Sequence, residues 1–205
     1  EISCSLVGSE MCIRDRAISM DPKNYDRLIE IYEALAAHGY REVGQEYLQN
    51  VLDTAKQLDA YDSGRIYYYL GEYQKAYLAL DEARDKGGAD SYLYLGRAYA
   101  ATGDYNYASS VYNNYLSKQG PNAEIYNELG LCEMAKKEYQ NALAAFQAGK
   151  QIEGNSLMQT LCFNEIVAYE YLEDYQQAEV LMNAYLQNYP DDQTAIREQQ
   201  FLSTR

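Results

Sequence analysis

Basic residues are scarce in this sequence: 17 lysines and arginines stand against 31 aspartates and glutamates, a formal net charge of −14 over 205 residues. Nucleic-acid binding depends on cations displacing counterions from phosphates, so a balance this acidic excludes that class and points to protein or peptide partners. Histidine is scarcer still. His38 stands alone beside Gly39, where a solvent-facing turn residue is expected. Without H-E-x-x-H or a Cys/His cluster there is no framework for a metal. Without a glycine-rich phosphate loop or a G-x-S-x-G elbow there is none for phosphate or acyl chemistry. No enzyme active site and no cofactor is therefore expected between residues 17 and 205. Nor is there an apolar run long enough to span a bilayer, so no transmembrane segment is expected.

Cysteine is sparse as well. Cys132 and Cys162 lack a C-x-x-C partner and fall at apolar helix positions, where a free thiol behaves as a small hydrophobe. A disulfide between them stays open at this stage.

Tyrosine is abundant, with 24 copies, and its placement repeats. "YYYLGEYQKAYLALDEA" (Tyr67 to Ala83), "AYAATGDYNYASSVYNNY" (Ala98 to Tyr115), "EMAKKEYQNALAAFQAG" (Glu133 to Gly149) and "AYEYLEDYQQAEVLMNAY" (Ala168 to Tyr185) are versions of one helix-turn-helix. Each carries an acidic residue, a Tyr and, three residues after it, an Ala: Tyr73/Ala76, Tyr105/Ala108, Tyr139/Ala142 and Tyr175/Ala178. A divergent fifth copy, "EALAAHGYREVGQEYLQNVL", has Gly39 at the turn and Gly44 in place of the Ala. Repeats begin near residues 25, 57, 89, 123 and 159. The spacing between those starts grows from 32 to 36, and "GNS" at Gly154 to Ser156 absorbs the longest insertion.

The pattern of large residue, Leu-Gly, Tyr, Gly, Ala, aromatic, Ala and closing Pro resembles the tetratricopeptide repeat. "YLYLGRAYAATGDYNYASSVY", from Tyr92 to Tyr112, matches almost every signature position. The resemblance implies an all-α, right-handed superhelical solenoid of stacked helix pairs over residues 25–192, closed by a capping helix over 193–205. In it Gly64, Gly96 and Gly130 on first helices face Ala76, Ala108 and Ala142 on second helices, allowing close approach. Gly71 and Gly103 supply the left-handed turn conformation, whereas Lys137 and Glu173 replace that glycine and predict a strained or altered turn. Ala195, Ile196, Phe201 and Leu202 are expected to cover the last repeat, with Arg197, Glu198, Gln199 and Gln200 facing water.

The resemblance also implies a concave groove lined by first helices that holds a peptide or partner protein. Carried over by repeat position, its candidate contacts are Tyr61, Arg65, Tyr68, Tyr69, Tyr94, Arg97, Asn127, Phe163, Asn164 and Tyr171. Tyr and Arg are the types enriched in binding hot spots. Arg65 and Arg97 share one repeat position, which predicts an arginine pair that grips an acidic group or backbone carbonyls. The competing expectation is that Arg65 pairs with Asp62 on its own helix. Co-chaperones of the family clamp a C-terminal carboxylate with Lys and Asn at two groove positions. Here those positions hold Ile29/Glu33, Tyr61/Arg65, Leu93/Arg97, Asn127/Leu131 and Phe163/Val167, so that clamp is absent.

The beginning of the sequence reads differently. "LVGSEMCIRDR", from Leu6 to Arg16, has no periodicity or cap, and it resembles the translation of a transposase-based sequencing adapter. Residues 1–16 are thus expected to be foreign and the native chain to begin at about Ala17. Removing Glu1, Glu10, Asp15, Arg14 and Arg16 changes the charge only from −14 to −13. "AISMDPKN", residues 17–24, looks like the end of a second helix and its closing Pro, which places a truncated repeat before Tyr25. The Tyr-rich chain with its ending "FLSTR" resembles bacterial surface lipoproteins, so an envelope scaffold is one expectation. The other is the docking half of an enzyme or transcription regulator.

Overall fold

The computed structural model describes residues 24–55 and 58–205, so the expectations for residues 1–16 and 17–23 lie outside it. Eleven helices and no strand are present among the described residues. They are α1 (Tyr25–Ala37), α2 (Arg41–Thr54), α3 (Ala60–Tyr69), α4 (Tyr73–Asp85), α5 (Ser91–Ala101), α6 (Tyr105–Gln119), α7 (Ala123–Ala135), α8 (Tyr139–Lys150), α9 (Met158–Tyr171), α10 (Tyr175–Asn188) and α11 (Gln193–Leu202). The chain divides between Lys86 and Gly87 into two compact units. Unit 1 holds the pairs α1/α2 and α3/α4; unit 2 holds α5/α6, α7/α8 and α9/α10, followed by α11. In unit 2 each second helix also packs on the next first helix: α6 on α7, α8 on α9 and α10 on α11.

Helix starts follow from short acceptors placed ahead of apolar periodicity. Asp104 and Asp174 cap α6 and α10 by accepting the N–H groups of Tyr107 and Gln177, each at 3.1 Å. Asn122 caps α7 through the N–H groups of Glu124 and Ile125, at 2.9 and 3.1 Å. Glu72 and Glu138 stand at the matching place before α4 and α8 and make no side-chain cap. A short side chain is what a cap requires.

Gly39, Gly71 and Gly103 adopt positive φ at the turns inside the pairs, and so do Lys137 (φ 64°) and Glu173 (φ 60°). The turn is not altered by the missing glycine. Lys137 N–H reaches the Met134 carbonyl at 3.0 Å and Glu138 N–H the Glu133 carbonyl at 2.9 Å, matching Gly103 to Ala100 and Asp104 to Tyr99, both 3.0 Å. The conformation is imposed on residues with a Cβ, which store its cost. Lys137→Gly is therefore expected to raise stability by about 0.5–1 kcal/mol, read as a higher urea midpoint with an unchanged slope.

The core is built from one recurring pairing. Leu48, Leu80, Tyr112, Phe146 and Met182, one from each second helix, are fully buried, as are Ala76, Ala108, Ala142 and Ala178 one turn earlier. Here a sequence expectation is corrected. A Cβ on Gly64, Gly96 or Gly130 would meet Leu80 at 2.5 Å, Tyr112 at 2.3 Å or Phe146 at 2.3 Å before anything else. The glycines therefore make room for the large residue four positions beyond the alanine. In the first pair the arrangement is inverted, since the small residue is Gly44 on α2 and its Cβ would meet the ring of Tyr32 on α1 at 2.8 Å.

At the end of unit 2, α11 buries Ala195 and Leu202 against a cluster of Ile166, Ala178, Met182 and Tyr185. Phe201 departs from expectation: it is exposed, with the Arg205 guanidinium 4.4 Å over its ring. Gln199 is half-buried and donates to Asn183 Oδ1 at the surface, at 2.7 Å.

Candidate functional site

The candidate contacts on the first helices divide between the two units. In unit 1, Arg65 on α3 is buried, its guanidinium bonded to Asp26 Oδ1 of α1 at 2.5 Å and to Asp62 of its own helix. Burial opposes its charge, and the bonds to Asp26 and Asp62 more than offset that, so its pKa is raised. Tyr61 lies under the same group, 4.4 Å from ring centroid to guanidinium carbon. Tyr69 packs on Tyr32 at 5.1 Å and donates to Glu33 Oε1 at 2.5 Å; Tyr68 rests on Tyr69 at 5.1 Å. The pairing of Arg65 with Asp62 is as the within-helix expectation has it, and Asp26 was not foreseen.

In unit 2, Arg97 on α5 reaches forward to α7. Its Nε and Nη2 donate to Glu128 Oε1 at 2.9 and 2.7 Å, and Nη2 also donates to Glu124 Oε1 at 3.0 Å. Burial again opposes the charge, and Glu128 and then Glu124 outweigh it. Tyr94 sits 5.6 Å from the same guanidinium. Each arginine is thus committed within its own unit to two carboxylates. The readable signal was an acidic residue at the second position of a neighbouring repeat, Asp26 or Glu124.

Further along unit 2, Asn164 on α9 donates to Asn127 Oδ1 on α7 at 2.9 Å, so the contacts from Arg97 to Glu128 and from Asn127 to Asn164 trace one face across α5, α7 and α9. Leu131, one turn beyond Asn127 and Glu128, is exposed on that face, and so is Tyr171, stacked on Tyr139 at 5.0 Å. Phe163 and Asn164 line a cavity of about 280 Å³ with Gln159, Thr160, Tyr185, Asp192 and Thr194. There Tyr185 donates to Asp192 Oδ2 at 2.6 Å, while Oδ1 caps α11 through Thr194 and Ala195. The Tyr185 hydroxyl, ahead of the Ala195 N–H, holds the Asp192 carboxyl below the usual carboxylate range.

The face ends at Glu170 on α9. Its carboxyl meets Glu198 of α11, a residue expected to face water, and one of its oxygens is buried without a hydrogen-bond partner. Burial first, and the charge of Glu198 next, push Glu170 up to about 7 from an ordinary 4.5. Two facing carboxyls can bond only while one keeps its proton. Folding therefore binds a proton that the unfolded chain has released between those two values, and the stability that Glu170 contributes falls as pH rises from about 4.5 to about 7 and is level above. Urea unfolding across that range is expected to show a smaller decline in Glu170→Gln than in the parent chain.

Among the described residues, Cys132 and Cys162 are free thiols; burial pushes Cys132 up to about 12 and raises Cys162 despite the opposing charge of Lys150. His38 is exposed, its Nδ1 2.8 Å from the Ala34 carbonyl. Glu133, where three other repeats carry Tyr67, Tyr99 and Tyr169, is buried and accepts from Ser109 Oγ at 2.8 Å and Lys136 Nζ at 2.7 Å. Among the described residues no group of three or more His, Cys, Asp and Glu is placed to hold a metal ion, and no helix is long and apolar enough to cross a membrane.

Comparison with known proteins agrees with the repeat geometry. A family model for the tetratricopeptide repeat matches residues 61–108 and 95–155. No curated protein matches the sequence. Among solved structures, a thermophilic tetratricopeptide repeat protein of Thermus thermophilus, TTC0263, aligns with a TM-score of 0.67 at 16% identity, over 88% of this chain and 100% of that one. One from Parabacteroides merdae aligns with a TM-score of 0.62 at 18% identity, over 87% and 72%. YrrB, described as a tetratricopeptide repeat protein with an unusual peptide-binding site, aligns with a TM-score of 0.59 at 18% identity, over 91% and 97%. At these identities the likeness is one of fold, a stack of tetratricopeptide-type helix pairs, and within it residues 61–155 carry the repeats that the family model matches.

Proposed function

We propose that this chain is a non-catalytic scaffold that holds an extended peptide or a segment of a partner protein on its first-helix face. The observation that carries this reading is the exposure of Leu131 and Tyr171, 43% and 57%, on the face where Arg97–Glu128 and Asn127–Asn164 tie successive first helices together. Apolar and aromatic groups held open between fixed polar side chains are what a peptide contact surface requires. YrrB, a structural neighbour described as having a peptide-binding site, supports the same use of the fold.

The experiment is a selection of short random peptides against the chain, followed by affinity measurement on variants. Leu131→Asp and Tyr171→Ala are expected to weaken the selected peptides by about ten-fold or more each. Val180→Asp, at an exposed position on the second helix α10, is expected to leave them unchanged. Selected peptides that lose affinity only in the Val180 variant would refute the assignment.

A further inference from the structure

Unit 2 is strongly acidic on its own. Between Gly87 and Arg205 there are seven lysines and arginines and fifteen aspartates and glutamates, a formal net charge of −8. Its first-helix face is less able than the sequence implies to offer positive charge. Arg97 is shared by Glu124 and Glu128, so the two carboxylates exceed it by one charge. Glu170 and Glu198 face each other with no lysine or arginine in ion-pair contact with either among the described residues, although Arg197 is adjacent in sequence. One Glu170 oxygen is buried and lacks a partner. Exposed Leu131 and Tyr171 lie on the same face.

From this we infer that the first-helix face of unit 2 takes a basic segment of a partner polypeptide, whose lysine or arginine side chains meet Glu128, Glu170 and Glu198 while its apolar atoms lie on Leu131 and Tyr171. The inference rests on the proposed peptide-binding role and reverses the charge of the ligand expected from the arginines alone. An acidic segment would have to displace carboxylates already bonded to Arg97 and would add like charge beside Glu170. A cation placed between Glu170 and Glu198 instead removes their repulsion and supplies the missing donor.

The test uses the full chain and three synthetic peptides of equal length, alternating leucine with lysine, glutamate or serine, at about pH 8 so that Glu170 is ionised. The lysine peptide is expected to bind best. Glu170→Gln/Glu198→Gln is expected to weaken it by about ten-fold, while Glu138→Gln/Glu179→Gln, the same loss of charge at exposed positions by the second helices, stays within about two-fold. Equal losses in both double variants would mean diffuse charge attraction and overturn the inference. Preferential binding of the glutamate or serine peptide, lost in Leu131→Asp, would also overturn it while leaving the peptide-binding role intact. Binding of every peptide unaffected by Leu131→Asp would count against both.

Discussion

Truncating Phe146 to alanine is expected to cost about 3–5 kcal/mol, and adding one methyl group at Gly130 about 3 kcal/mol, because both changes strike the same contact from opposite sides. Phe146 is fully buried, and a Cβ on Gly130 would lie 2.3 Å from its Cε1 and 2.6 Å from its Cδ1. A ring held by Leu143, Leu161 and Ala168 around it has nowhere to retreat without opening α7 from α8. The two changes are expected to be far from additive. Gly130→Ala in a Phe146→Leu background should cost clearly less than in the parent, since the smaller side chain vacates the space the methyl needs. Urea unfolding of the four proteins measures this directly. A fully additive cycle would show that Gly130 is conserving backbone flexibility rather than making room for the ring.

The second large effect is expected at Arg65. Its replacement by alanine removes the bond between α3 and Asp26 on α1 and leaves Asp62 half-buried without its cation. The Asp62 carboxyl is already raised by burial, with Arg65 pulling the other way. Loss of the guanidinium should cost about 2–3 kcal/mol, less than for a fully enclosed pair because Asp26 is open to water. Arg65→Met with Asp62→Asn is expected to recover most of that loss, because packing is kept and no unpaired charge is buried. If the double variant is as unstable as Arg65→Ala, the stabilisation resides in the guanidinium's bonds to Asp26 and Asp62 rather than in the packing of the arginine stem.

Much of the fold was legible because repeat identity lies in short-range spacing. The acidic residue, Tyr and Ala recurring from Tyr73/Ala76 to Tyr175/Ala178 define each turn and the start of each second helix, and the buried alanines follow from them. The large residue that each of Gly64, Gly96 and Gly130 accommodates was harder to read, since Leu80, Tyr112 and Phe146 share size but not identity. Tyr32 and Gly44 exchange the large and small roles between helices, a compensation visible only once the two positions are known to touch. The candidate site was less legible still. Repeat position named Arg65 and Arg97 correctly as first-helix residues, yet their chemistry is set by carboxylates 39 residues before one and 27 and 31 residues after the other. Glu198 illustrates the same limit: its surroundings are decided by where α11 sets down on α9, which amphipathic pattern alone does not specify.

Arg97 is thus committed to carboxylates within unit 2, and what the first-helix face of that unit offers outward is apolar, amide and carboxylate. The central claim is that this face is where a partner segment binds. Amide hydrogen exchange of the full chain, with and without a peptide selected against it, tests that most directly. The account predicts added protection concentrated in α5, α7 and α9, around Arg97, Asn127, Leu131 and Asn164. Protection confined to the second helices α6, α8 and α10, with the first helices unchanged, would contradict it.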